Sequence, residues 1–250
     1  MKKNNSRLTA TGAVVLVLAA VWSQGSQAAI SADRTRIIMN SNEKSVSLIL
    51  NNDDKHLPFL AQSWVTNADG TRTDTLMALP PLQRIDAGQK SQVRITQVRS
   101  MTDRLPKDRE TLFWFNVRSI PPKPDAANVL QLTIQSQLKL FYRPAAIVRG
   151  DNDRPERKLV VERSGGHVTL KNPTPYYITV IWLGTDRSHR LSGFGDGEMV
   201  APFADLPLKA SLPESARQLW VGYVDDYGGL QMNPYACDTL SCALKGGSSS

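Results

Sequence analysis

The chain has 250 residues, of which 41% are hydrophobic, with a formal net charge of +7. That charge falls to about +4 once Lys2, Lys3 and Arg7 at the N-terminus are set aside. A basic balance this modest, with no basic run interleaved with aromatics, excludes broad nucleic-acid binding and suits a local anionic site or an acidic partner.

Residues 1–28 read as an export leader rather than as part of the fold. Lys2, Lys3 and Arg7 form a positive head, residues 13–22 an apolar run, and Ser26-Gln27-Ala28 the small residues that a signal peptidase needs. The apolar run is shorter than the roughly 20 residues of a membrane helix, and no later segment is apolar enough to span a bilayer. About 220 residues remain, starting near Ala29, enough for two ordinary domains in an exported, oxidising compartment.

From there on, short strands alternate with turn residues. A strand covers 30–39. Residues 45–50 alternate until Asn51-Asn52-Asp53-Asp54, and 60–65 resume before Asn67-Ala68-Asp69-Gly70. Asp86-Ala87-Gly88 precedes the alternating piece 92–95, and the aromatic-rich 112–118 ends at Pro121-Pro122. The stretch 129–144, VLQLTIQSQLKLFYRP, sets Leu130, Leu132 and Ile134 against Gln131, Thr133 and Gln135, the period-two pattern of a strand with two unlike faces. A strand so apolar on one face needs a partner: its own core, or the exposed core of another protein. Alternation alone leaves both open.

The charged, breaker-containing segment 148–158 reads as an inter-domain linker. Strands then recur at 158–162, 167–171, 176–183 and 218–224, with turns at Gly165-Gly166, Asn172-Pro173 and Gly228-Gly229. Cys237 and Cys242, the two cysteines, read as a disulfide in an oxidising compartment. Half of a zinc site is the rival, but the chain supplies no second pair. Residues 246–250 read as a disordered tail. No segment after the leader holds a helical period over three turns, so the fold class is all-β, built of antiparallel sandwiches.

Catalytic signatures are missing. The chain has no phosphate loop, no HExxH and no GxSxG. Gly193, Gly195 and Gly197 have the wrong spacing for a dinucleotide fingerprint and read as a β-hairpin. His56, His167 and His189 are scattered. Asp186 and Ser188 near His189 make a weak case for catalysis, and Asp225-Asp226 reads as a turn or a salt-bridge anchor. The expectation is no enzyme, no cofactor, no nucleotide and no metal.

Several blocks taken together resemble the periplasmic pilus chaperones of the PapD type. They are Asp33-Arg34-Thr35-Arg36, Leu57-Pro58-Phe59-Leu60-Ala61-Gln62, Pro80-Pro81-Leu82-Gln83-Arg84, the stretch 130–144, Asn172-Pro173-Thr174-Pro175-Tyr176-Tyr177 and Asp226-Tyr227-Gly228-Gly229. The likeness covers the whole chain after Ala28, is densest over 29–146 and weakens over 184–215. It implies two immunoglobulin-like sandwiches in an L, an N-terminal pilin-binding domain at 29–147 and a C-terminal domain at 148–250. It also implies that the strand 129–141 is lent to a pilin lacking its own last strand, with Leu130, Leu132 and Ile134 entering the pilin core.

By the same resemblance Arg36 and Lys139 hold the subunit's C-terminal carboxylate, a pairing that charge-assisted hydrogen bonds make chemically sound. Glu110, Arg143 and Asp226 form an inter-domain ion network, and Pro80-Pro81 marks a turn that often holds a cis peptide. The implied partners are pilin subunits and the adhesin of a chaperone–usher pilus, the outer-membrane usher, and a second copy of the free chaperone. A short segment 121–128 and a cysteine-free first domain resemble the subclass that serves rod-like adhesive pili. The rival readings are a pilus subunit or two-domain adhesin, which would carry an alternating N-terminal extension, and a periplasmic hydrolase, which would cluster a nucleophile with a base.

Overall fold

The computed structural model describes residues 29–124, 130–150 and 152–244. The expected leader at 1–28, Val129 of the expected lent strand, the second half of the short segment before it and the expected tail at 246–250 lie outside the described residues.

Two sheets make the first sandwich. One has the order β1-β3-β7-β5, from β1 (Ile30–Ala32), β3 (Ser45–Asn52), β7 (Lys90–Gln97) and β5 (Leu76–Leu79). The other has the order β2-β9-β8-β4-β6, from β2 (Arg36–Asn40), β9 (Ile134–Arg143), β8 (Thr111–Ile120), β4 (Phe59–Asn67) and β6 (Leu82–Ile85). Alternation decides which side chains meet between them. Leu48 and Leu50, Val93 and Ile95, Phe113, Phe115 and Val117, and Leu138, Leu140 and Tyr142 all point into one core. Between β7 and β8 a single helical turn, α1 (Arg99–Thr102), bridges the layers.

The second domain threads one eight-stranded ladder, β13-β12-β15-β16-β17-β10-β11-β14. These strands are β10 (Val160–Ser164), β11 (His167–Lys171), β12 (Ile178–Gly184), β13 (Glu198–Val200), β14 (Asp205–Ser211), β15 (Gln218–Val224), β16 (Leu230–Cys237) and β17 (Ser241–Leu244). Val161, Leu170, Val180, Val200, Ala210, Val221, Tyr235 and Cys242 come from all eight strands, yet they share one core. The ladder must therefore curl over on itself. Cys237 and Cys242 oppose each other across β16 and β17 and are joined as a disulfide.

The structure corrects four of the sequence expectations. The single strand at 30–39 splits into β1, paired with β3, and β2, paired with β9, so the chain changes sheets between Ala32 and Arg36. Asn51 and Asn52 do not break the strand but end β3, because the buried Asn52 amide donates to the carbonyls of Leu57, Ile85 and Asp86. The strand expected over 129–141 runs Ile134–Arg143 instead. Its partner β8 stops at Ile120, ahead of Pro121-Pro122, which offer no amide to a ladder. The segment read as a linker holds a 3-10 turn, Pro155–Lys158, which buries Pro155 and Glu156, and a second such turn, Ala145–Ile147, stands just before it.

Gly193, Gly195 and Gly197 lie in the connection from β12 to β13, which pair antiparallel. The Leu79-Pro80 bond is cis.

Candidate functional site

The site begins with an incomplete edge. β9 pairs with β8 along its length, from Ile134 opposite Ser119 to Tyr142 opposite Thr111. On its other side β2 covers only Lys139 to Arg143, where Arg36 opposes Lys139. Residues 134–138 therefore present an edge that no described strand occupies, with backbone groups left open to an added strand.

Side chains along that row change character at the same point. Leu138, Leu140 and Tyr142 are buried in the sandwich, whereas Ile134, Leu132 and Leu130 are 36%, 69% and 83% exposed. The last two precede β9, and Gln131 beside them donates through its side-chain amide to the Pro122 carbonyl. Leu130, Leu132 and Ile134 are thus not part of this chain's own core. Of the two partners that alternation left open, the first is ruled out.

Arg36 and Lys139 stand where the open edge meets β2. Arg36 is buried against the second domain, its Nη1 donating to the Val224 carbonyl at 3.0 Å, and its buried Nε has no acceptor. Burial pulls the Arg36 guanidinium below its ordinary value, against the acidic pull of Asp226, Asp225, Glu156 and Glu110. Lys139 is lowered as well, first by burial and then by the positive charge of Arg36. Among the described residues no carboxylate lies within ion-pair distance of either. Two neighbouring cations, one buried with an unused donor and one half-buried, can each make a charge-assisted bond to an added anion. Arg36 lines a cleft of about 550 Å³ between the domains, walled also by Arg34, Arg143, Arg149 and Asp225.

At the far end of β9, Arg143 joins the two domains. Its Nε and Nη2 donate to Glu110 Oε1 at 2.9 and 2.7 Å, and its Nη1 to Asp226 Oδ2 at 2.8 Å. Glu110 Oε2 accepts the Tyr177 amide at 2.8 Å, and burial pushes the Glu110 carboxyl up against the pull of Arg143. Phe141 stacks on Tyr177 with ring centroids 5.5 Å apart. The two acids at 225–226 divide the two roles read from sequence: Asp225 accepts the Tyr227 and Gly229 amides of the turn, while Asp226 takes the ion pairs.

Sequence reasoning missed Arg149 and Glu156, which lie inside the segment read as a linker. Arg149 pairs with both Glu156 and Asp226 Oδ1, the latter at 3.3 Å. No spacing in the chain announces this contact, which exists only once the domains are packed. His189 pairs with Asp186 at 2.6 Å on the surface, apart from His56 and His167. Among the described residues no cluster of His, Cys, Asp and Glu could hold a metal.

Two family models match the chain. One is described as Pili and flagellar-assembly chaperone, PapD N-terminal domain, and covers residues 29–148; the other, Pili assembly chaperone PapD, C-terminal domain, covers 155–235. This chain belongs to the PapD family of pilus-assembly chaperones. It is 46% identical to the chaperone protein PmfD of Proteus mirabilis, over 87% of each chain. To PapD of Escherichia coli it is 39% identical, over 88% of this chain and 92% of PapD. Among solved structures, the SafB chaperone of Salmonella enterica in complex with the SafA pilin matches at a TM-score of 0.69 and 30% identity, over 83% of this chain and 96% of that one. The family is one of chaperones, not enzymes. As a PapD-family chaperone, the chain has its open edge and the Arg36–Lys139 pair on the N-terminal domain, the edge at the start of β9 and the end of β9 leading to the second domain.

Proposed function

We propose that this chaperone acts in the periplasm and caps pilus subunits by lending them the segment 130–138. Leu130, Leu132 and Ile134 fill the open groove of a pilin, and Arg36 with Lys139 hold its C-terminal carboxylate. The observation that carries this reading is the succession along one edge of three exposed apolar side chains, an unpaired strand edge and two neighbouring cations with no described carboxylate at ion-pair distance. The solved SafA–SafB complex, in which a chaperone of this family holds a pilin, supports it.

Direction follows from β2. It runs parallel to β9 and begins at Arg36, opposite Lys139. A guest strand continuing the β2 slot along residues 134–138, in the same sense, ends at those two side chains and delivers its terminal carboxylate to them. Anchoring the end also sets register, since a one-residue slip turns every apolar side chain away from the groove.

Both parts are needed energetically. Three buried aliphatic side chains contribute roughly 5–9 kcal/mol, while association costs on the order of 4–15 kcal/mol. Strand hydrogen bonds and charge-assisted bonds to the carboxylate, about 1.5–3 kcal/mol each, tip the balance toward capture. Delivery to an outer-membrane usher completes the reading. There the N-terminal extension of an incoming subunit replaces the lent segment. Residues 1–28 serve as the export leader.

Co-expression with exported pilins and pull-down tests it. Arg36→Ala and Lys139→Ala should abolish co-purification of pilin while each variant still melts cooperatively. Capture that survives both substitutions rules out the anchor.

A further inference from the structure

Arg36 is positioned from the second domain. Its Nη1 is held by the Val224 carbonyl, and the turn that follows packs on the residue before it: a Cβ on Gly228, which has φ +86°, would lie 2.4 Å from Thr35 Oγ1. The end of β15 and the 225–229 turn that follows it therefore bear together on where the Arg36 guanidinium points. Asp226 is the charged tether of that turn, and it is held from two directions: by Arg143 on β9 and by Arg149 at 3.3 Å.

Arg149 is itself held by two neighbours, one of them tied back to the same segment. It pairs with Glu156, lies 4.1 Å from the centroid of the Tyr176 ring, and the Tyr176 hydroxyl donates to the Ile147 carbonyl two residues upstream at 2.6 Å. The Arg149 and Glu156 side chains are only 9% and 3% exposed. A buried pair of this kind holds its geometry because either charge alone is costly to bury. The result is an alternating row, Glu110, Arg143, Asp226, Arg149 and Glu156, running from the first domain through the connecting segment into the 3-10 turn that opens the second.

We propose that Arg149 and Glu156 are positioning residues for subunit capture: through Asp226 they hold the 225–229 turn against β2, and so aim Arg36 at the incoming carboxylate. The inference rests on the carboxylate-anchor reading above. It assigns function to a segment that looks like a tether between domains.

The test uses the full chain and a synthetic peptide of alternating valine and threonine in two forms, free C-terminal acid and C-terminal amide, with affinity measured for each. Wild type should prefer the acid, and Arg36→Ala should erase that preference. Arg149→Met should cut the acid-over-amide preference by about tenfold or more, Arg149→Lys should restore most of it, and Glu156→Gln, which keeps the shape of the buried side chain, should fall between them. Should Arg149→Met fail to fold, Glu156→Gln and Arg149→Lys decide the matter. If the variants lower the thermal midpoint but keep the wild-type preference, the pair is only a structural tie and the proposal falls. If Arg36→Ala itself keeps the preference, the anchor reading falls, and this inference with it.

Discussion

Two cations pushed together out of water form an unusual local arrangement. Arg36 and Lys139 oppose each other across the parallel β2–β9 pair, and after burial the Arg36 charge is what disfavours the Lys139 ammonium. Lys139 is the more adjustable of the two, because an ammonium loses its proton far more readily than a guanidinium. Its lowered value means that it turns neutral at a lower pH than an ordinary lysine, so capture of a carboxylate should weaken as pH rises through that point. Titrating pilin binding against pH should show this alkaline loss beginning below the ordinary lysine range of about 10.4, and Lys139→Arg should remove it. A profile flat up to the ordinary range would mean that Lys139 is not in contact with the ligand. Both cations were legible in the sequence, but only through the family blocks that contain them; taken singly, an Arg and a Lys say nothing of a shared site.

Along β9 and the residues just before it, one row of side chains passes from buried to exposed. Leu140 is fully buried in this chain's sandwich, and Leu132, eight residues earlier on the same row, is 69% exposed. Their substitutions should therefore separate cleanly. Leu140→Ala opens a cavity and should cost about 2–5 kcal/mol in denaturant unfolding. Leu132→Glu removes nothing buried and should shift stability by no more than about 0.5 kcal/mol, yet abolish pilin capture in pull-downs. Unfolding of the free protein by Leu132→Glu would place that side chain in its own core after all. Alternation in the sequence identified the row correctly. It did not show where the row leaves the sandwich, because that point is set by where β8 ends and where β2, far earlier in the chain, begins. The same physics split the expected strand at 30–39: continuous apolar character does not reveal that its two halves hydrogen-bond to different sheets.

The two domains are joined by charge rather than by a shared core. The first core and the second core are separate clusters, and Arg143 reaches from one domain to the other with Glu110 behind it and Asp226 ahead. Arg143→Met should leave the buried Glu110 charge without its main partner, at a cost of about 3–5 kcal/mol to the first domain. Calorimetry should show that loss, and small-angle scattering should show the domains released from one fixed orientation. An unchanged scattering profile would mean that the Phe141–Tyr177 stack and the Glu110 contacts to the 175–177 segment hold the domains by themselves.

Sequence by itself determined the all-β character, the cysteine pair, the apolar row and, through its motif blocks, the family; the cations at 36 and 139 are the candidates that resemblance offers. Each of these is a matter of residue type and short-range period, which the chain carries directly. Tertiary structure alone decided that the row is exposed, that the edge beside it is unpaired, and that Arg149 and Glu156 belong to the ion network. Exposure, pairing and burial of charge depend on which distant strands meet, and no local pattern encodes that.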